Sequence, residues 1–170
     1  GANNHPGEDQ IHFAIDSGPQ TIALSMAKEL PPVTEPVVID GTTQPGFAGT
    51  PIIEMTGEDG DDQTEPPRYG LRLYGGNSTI RGLVINGMQF GVMAPFGLRI
   101  STEHLTDPLF SFPGGYRFEG NYIGTNIAGD TAVPNRRAGL NLQAPDNVVG
   151  GTIGANNHPG EDQIHFAIDS

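Results

Sequence analysis

Residues 70–85 read GLRLYGGNSTIRGLVI, and residues 139–154 read GLNLQAPDNVVGGTIG. Both run in the same order: a glycine, a short alternating strand, a turn carrying Asn, then a second short strand interrupted by glycine. Alternation of apolar and polar residues puts every second side chain on one face of a strand. Glycine inside a strand marks a bend, where the chain leaves one sheet for another. A third copy of the opening, Gly97-Leu98-Arg99-Ile100, lies between them. A strand–corner–strand phrase that recurs along a chain describes a solenoid, in which each coil buries its apolar face on the next.

Working outward from these phrases, short strand-like runs recur along the rest of the chain: QIHFAI at 10–15, TIALS at 21–25, PVVID at 36–40, PIIEM at 51–55 and YRF at 116–118. The best helical stretch, LSMAKEL at 24–30, is stopped by Pro31 and Pro32. Gly 25 and Pro 15 in 170 residues, with 35% hydrophobic content, fit many turns between short strands. Such strands suit a sandwich, a propeller or a β-helix, and the internal echoes select the last. The expected fold is all-β, a parallel solenoid of roughly six to eight coils with short irregular loops. Asn77, Asn121 and Asn147 fall in the turns, where stacked amides are expected to form a ladder along the axis.

Four phrases carry a family resemblance: VVIDGTTQPGFAGTPIIEM at 37–55, GNSTIRGLVING at 76–87, FEGNYIGTNIAGDTAVPN at 118–135 and DNVVGGTIGA at 146–155. In this order they resemble bacterial surface and secreted proteins of the right-handed parallel β-helix class, within the pectin-lyase-like superfamily. The similarity runs from about residue 13 to residue 154. It implies a right-handed parallel β-helix at the cell surface or outside a bacterial cell. It says much less about activity, because that superfamily holds pectate lyases, polygalacturonases, tailspikes and non-enzymatic adhesins.

The two ends of the chain carry one string. Residues 1–17 read GANNHPGEDQIHFAIDS and residues 154–170 read the same, at an offset of 153. A tandem array, an added extension and a polymer repeat read past its end all account for it. On the array reading, residues 1–153 form one unit and residues 154–170 begin the next. Period-two alternation then makes Ile11, Phe13 and Ile15, with Ile164, Phe166 and Ile168, the apolar residues of the junction between units.

The net charge of −12 and only 8 Lys and Arg exclude the basic surface that nucleic acid demands. With no cysteine, disulfides, thiolate metal sites and cysteine nucleophiles are excluded. No apolar run reaches the length of a membrane span, so no membrane insertion is expected. Glu58, Asp59, Asp61 and Asp62 cluster about Gly60 and are the one candidate Ca²⁺ site, although the spacing is not that of an EF-hand. No other cofactor is expected.

Cleavage of polysaccharide on this fold needs converging carboxylates. Asp40, Glu54, Glu119 and Asp130 lie nearest to strands, but Asp40 and Asp130 read as turn residues, and Glu54 and Glu119 as outward-facing. His5, His12 and His104 fit no ligand spacing, and the chain lacks Trp for stacking on sugars. The reading expected from the sequence is therefore a structural extracellular scaffold, a filament, stalk or adhesin shaft whose partner is itself, and not an enzyme. A pectin-lyase-class enzyme and a module binding surface carbohydrate or Ca²⁺ are the alternatives.

Overall fold

The computed structural model describes residues 8–57, 69–94 and 114–150. The chain there is all-β, with twelve strands in three parallel sheets. The first sheet stacks β1 (Asp9–His12), β3 (Val37–Asp40), β6 (Thr79–Arg81), β9 (Arg117–Glu119) and β12 (Val148–Val149). The second holds β2 (Gln20–Leu24), β4 (Ile53–Gly57), β7 (Leu83–Asn86) and β10 (Tyr122–Ile123). The third holds β5 (Tyr69–Arg72), β8 (Phe90–Ala94) and β11 (Ala138–Leu142). The chain visits the sheets in rotation, and a single bridge from Val33 to Leu73 takes the first circuit past the third sheet. This is the strand order of a β-solenoid.

In-register parallel pairing places equivalent side chains in columns. The inward column of the first sheet is Ile11, Ile39, Ile80, Phe118 and Val149. The second sheet contributes a column of Ile22, Met55, Ile85 and Ile123, and the third Leu71, Val92 and Leu140. These columns meet in the centre of the tube, where Leu73, Met88 and Tyr116 complete the core. Each interior Ile, Leu or Phe taken out of water stabilises the fold by about 1.5–3 kcal/mol.

The circuits are unequal, and each is longer than the echoed phrases suggest. On the first sheet the shortest runs from Ile11 to Ile39 and the longest from Ile39 to Ile80. Those from Ile80 to Phe118 and from Phe118 to Val149 fall between them. Five strands is therefore the deepest stack among the described residues, against the expected roughly six to eight coils. Residues 58–68 and 95–113 intervene between β4 and β5 and between β8 and β9, and lengthen two of the circuits.

Two local expectations are corrected. Residues 24–30 form no helix: β2 runs through Leu24, and a single turn closes with the Lys28 N–H donating to the Ser25 carbonyl at 2.8 Å. So short a run ahead of a double proline cannot repay helix nucleation when β2 can instead add a strand to β4. The run at 10–15 is a strand only as far as His12, because the chain turns there towards the second sheet.

Candidate functional site

Two features of this tube bear on function: the way successive coils are fastened at the corners, and the way the stack ends. At a corner the backbone leaves one sheet before joining the next, so its N–H and C=O groups lose their strand partners. Buried groups of this kind are paired by something else. Here side-chain amides do it. Asn121 accepts from the Leu83 N–H at 3.0 Å and donates to the Ile80 carbonyl at 2.8 Å, bridging the first-to-second corner of the preceding coil. Asn135 accepts from the Met88 N–H at 3.1 Å and donates to the Ile85 carbonyl at 3.1 Å, bridging the next corner. Asn147 accepts from the Tyr116 N–H at 3.1 Å, and Ser78 Oγ accepts from the Val37 N–H at 3.1 Å, at the corner that returns to the first sheet.

The expected ladder of Asn77, Asn121 and Asn147 is thereby corrected. Asn121 and Asn147 each grip the backbone of the neighbouring coil rather than another amide. Asn77 serves by its conformation, with φ at 44°. The strand register puts Asn77 level with Gly115 and Asp146, whose φ values of 76° and 58° make the same left-handed turn. Gln44 and Asn135, which the sequence reading passed over, belong to the same set of clamps. Gln44 precedes Pro45 and Asn135 follows Pro134, a local cue to a turn but not to the partner each finds in another coil.

At the first end of the stack, β1 pairs with β3 from Asp9↔Val37 to His12↔Asp40. Beyond His12 the pairing passes to side chains. Thr43 Oγ1 accepts from the Phe13 N–H at 2.7 Å. The Gln44 amide, almost fully buried, accepts from the Ile15 N–H at 3.0 Å and donates to the Ile15 carbonyl at 2.8 Å. The Gly18 N–H then donates to the Pro45 carbonyl at 2.8 Å. β3 and its following turn thus hold the chain from Asp9, through the strand and round the bend at Asp16, to Gly18.

Among the described residues, the inward column is covered in its middle and exposed at its two ends. Ile39, Ile80 and Phe118 are 4%, 0% and 0% exposed, whereas Ile11 and Val149 at its two ends are each 39% exposed. Phe13 packs against the core, and Ile15 lies exposed at the corner. The partner positions Ile164, Phe166 and Ile168 fall outside the described residues, as do Glu58, Asp59, Asp61 and Asp62.

The outward carboxylates are each engaged. Asp40 caps the turn at Gly41–Thr43 by accepting from the Thr42 N–H and hydroxyl, and it pairs with Arg81. Burial alone would push its carboxyl up, but the Arg81 guanidinium and the Thr42 donors together hold it below the usual carboxylate range. Glu54 accepts from Thr21 and Asn86, and Glu119 pairs with Arg117. Asp130 sits in a turn with Asn126 and Thr131, whose donors lower its pKa. On the third sheet Tyr69 and Phe90 stack at 5.7 Å, with Arg72 over one ring and Arg137 over the other. Among the described residues no cluster of three or more His, Asp or Glu is placed to hold a metal ion.

No family model matches the chain, and no match was found among the curated proteins or the solved structures.

Proposed function

We propose that this chain is a structural scaffold, a right-handed parallel β-helix that associates end to end into a filament, stalk or adhesin shaft. The observation that carries the reading is the inward column, sealed in its middle and open at Ile11 and Val149. A parallel stack open at both ends presents unpaired strand edges and apolar surface to a further copy. Head-to-tail contact between two different ends does not close on itself, so it builds a filament. The right hand follows from the strong preference of parallel crossover connections for that sense.

On this reading the protein works outside the cell or on its surface, needs no cofactor for its fold, and has its own copies as principal partner. Surface polysaccharide is a further partner for a shaft of this kind, and the acidic run at 58–62 would be its Ca²⁺ contact. The outward carboxylates, each tied to an Arg, Asn or Thr, favour a scaffold over a polysaccharide-cleaving enzyme. Electron microscopy of purified protein across a concentration series, with sedimentation velocity alongside, tests the proposal. Rods lengthening with concentration are the expected result. A monomer at every concentration would overturn it.

A further inference from the structure

Asn86-Gly87 is the one Asn-Gly step in the 170 residues. Asn86 ends β7, and Gly87 opens the corner that follows. Asn86 alternates with the inward Ile85, so its side chain lies on the outer face of the second sheet, yet it is 0% exposed. Its Nδ2 donates to Glu54 Oε1 at 2.9 Å and to the Thr125 carbonyl at 2.7 Å. Its Oδ1 is buried with no hydrogen-bond partner. Glu54 lies on β4, one rung earlier, and its other oxygen accepts from Thr21 on β2. One amide therefore ties three successive coils together, and both of its donor hydrogens are committed.

An Asn followed by Gly carries its own reaction. In a loose chain the Gly87 nitrogen adds to Cγ of Asn86, because no side chain on Gly87 stands in the way and its backbone turns freely. The new N–Cγ bond closes a five-membered imide. The Cγ–Nδ2 bond breaks, and the amide nitrogen leaves as ammonia with the proton that Gly87 gives up. Water then opens the ring. Addition at Cγ leaves an ordinary aspartyl residue, and addition at the main-chain carbonyl leaves a backbone routed through the side chain. The net change is amide plus water to acid plus ammonia. The folded tube opposes the first step. Nδ2 is pinned on two sides, and Gly87 is wedged against the preceding coil, where even a Cβ would lie 3.1 Å from the Gly57 carbonyl oxygen.

We propose that Asn86-Gly87 is a site of spontaneous deamidation, protected in the closed coil and converted when the coil opens, and that conversion makes the fold depend on a proton. An amide at position 86 donates to Glu54, and an ionised acid there does not. It sets one carboxylate against another and takes the donor from the Thr125 carbonyl. Across β2, β4, β7 and β10 the titratable groups are Glu54 and Tyr122, with no Lys, Arg or His to neutralise a second negative charge. The turn beyond Thr125 adds the carboxylate of Asp130. Two carboxylates sharing a site keep one proton between them. The converted coil therefore takes up a proton on closing. Its stability falls as pH rises from the unfolded carboxyl value of about 3.9 through the raised folded one, by up to about tenfold in the folding constant per pH unit.

Two experiments on the full chain test this. In the first, protein is held in mildly alkaline buffer, folded in one sample and in urea above the unfolding midpoint in the other. Mass spectrometry of the peptide spanning Asn86-Gly87 then follows conversion of amide to acid. Conversion in urea should exceed that in the folded tube by about a thousandfold, the factor by which a fold of ordinary stability suppresses a reaction of its open state. A ratio below about tenfold overturns the protection. In the second, Asn86→Asp supplies the converted side chain without the rerouted backbone. The gap between its urea midpoint and the parent's should be smallest near about pH 4 and widen towards neutral pH. A gap that does not grow with pH overturns the shared proton, and so does a variant unfolded at every pH. Glu54→Gln added to Asn86→Asp exchanges the amide and the acid between the two positions, and should flatten the slope. A slope as steep as before overturns the pairing with Glu54.

Discussion

Asn121→Ala isolates the mechanism by which coils are held in register at their corners. The side chain is fully buried and makes two hydrogen bonds to backbone groups of the coil before it, the Leu83 N–H and the Ile80 carbonyl. Gly82 between them turns the chain out of the first sheet with φ at 66°, so the amide spans a break in the strand ladder. Removing it takes a hydrogen-bond partner from both groups in a dry interior. A buried group left unsatisfied costs about 1–3 kcal/mol, and the variant should lose at least that much. Unfolding in urea should show an earlier midpoint with an unchanged slope, since the surface exposed on unfolding is nearly the same. The control is Asn126→Ala. Asn126 makes three bonds, to the Asp130 carboxylate and to the Asp130 and Thr131 N–H groups, but all are solvent-exposed. Water replaces them, so that variant should stay within about 1 kcal/mol of the parent. Equal losses from the two variants would show that the corner clamps hold nothing that water cannot, and would refute the account.

Tyr116→Phe should cost about 1–3 kcal/mol in the same assay, because its hydroxyl donates to the Leu73 carbonyl and accepts from the Gly76 N–H inside the tube. Gly41→Ala should destabilise by about 3 kcal/mol, since a Cβ there would lie 2.1 Å from the Gly82 carbonyl oxygen and both are backbone. Gly18→Ala, with φ at 81° and open space around it, should cost only about 1 kcal/mol of conformational strain. Asp40 titrates lower folded than unfolded, so its contribution is complete above the unfolded value of about 3.9 and is lost as pH falls through the folded one. Acid unfolding of Asp40→Asn should therefore be shallower than that of the parent below about pH 4, as read by circular dichroism.

Much of the core could be read directly from the residues, and the corners could not. Ile39, Ile80 and Phe118 stand out because alternation and β-branching mark strands locally, and parallel register then stacks them. The turn roles of Asp40 and Asp130 were equally visible, since Asp before Gly or Thr has few other local uses. Asn121 was visible as a turn residue, but its target was not. An amide in a corner bonds to whichever backbone group the preceding coil presents. For Asn121 that is Leu83, a full circuit earlier, and no local pattern records the length of a circuit. Gln44 was missed for the same reason: its partner Ile15 lies one circuit back, and only the closing of that circuit brings them together. The helix expected at 24–30 failed because a short local tendency competes with a strand edge already in place.

Identity of residues 1–17 with 154–170 is compatible with any repeat arrangement. The described coils tolerate circuits as unequal as Ile11 to Ile39 and Ile39 to Ile80, because extra residues are added between sheets and the columns stay in register. What the stack conserves is therefore the register of its columns rather than the length of its circuits, and register is what the corner clamps Asn121, Asn135 and Asn147 enforce.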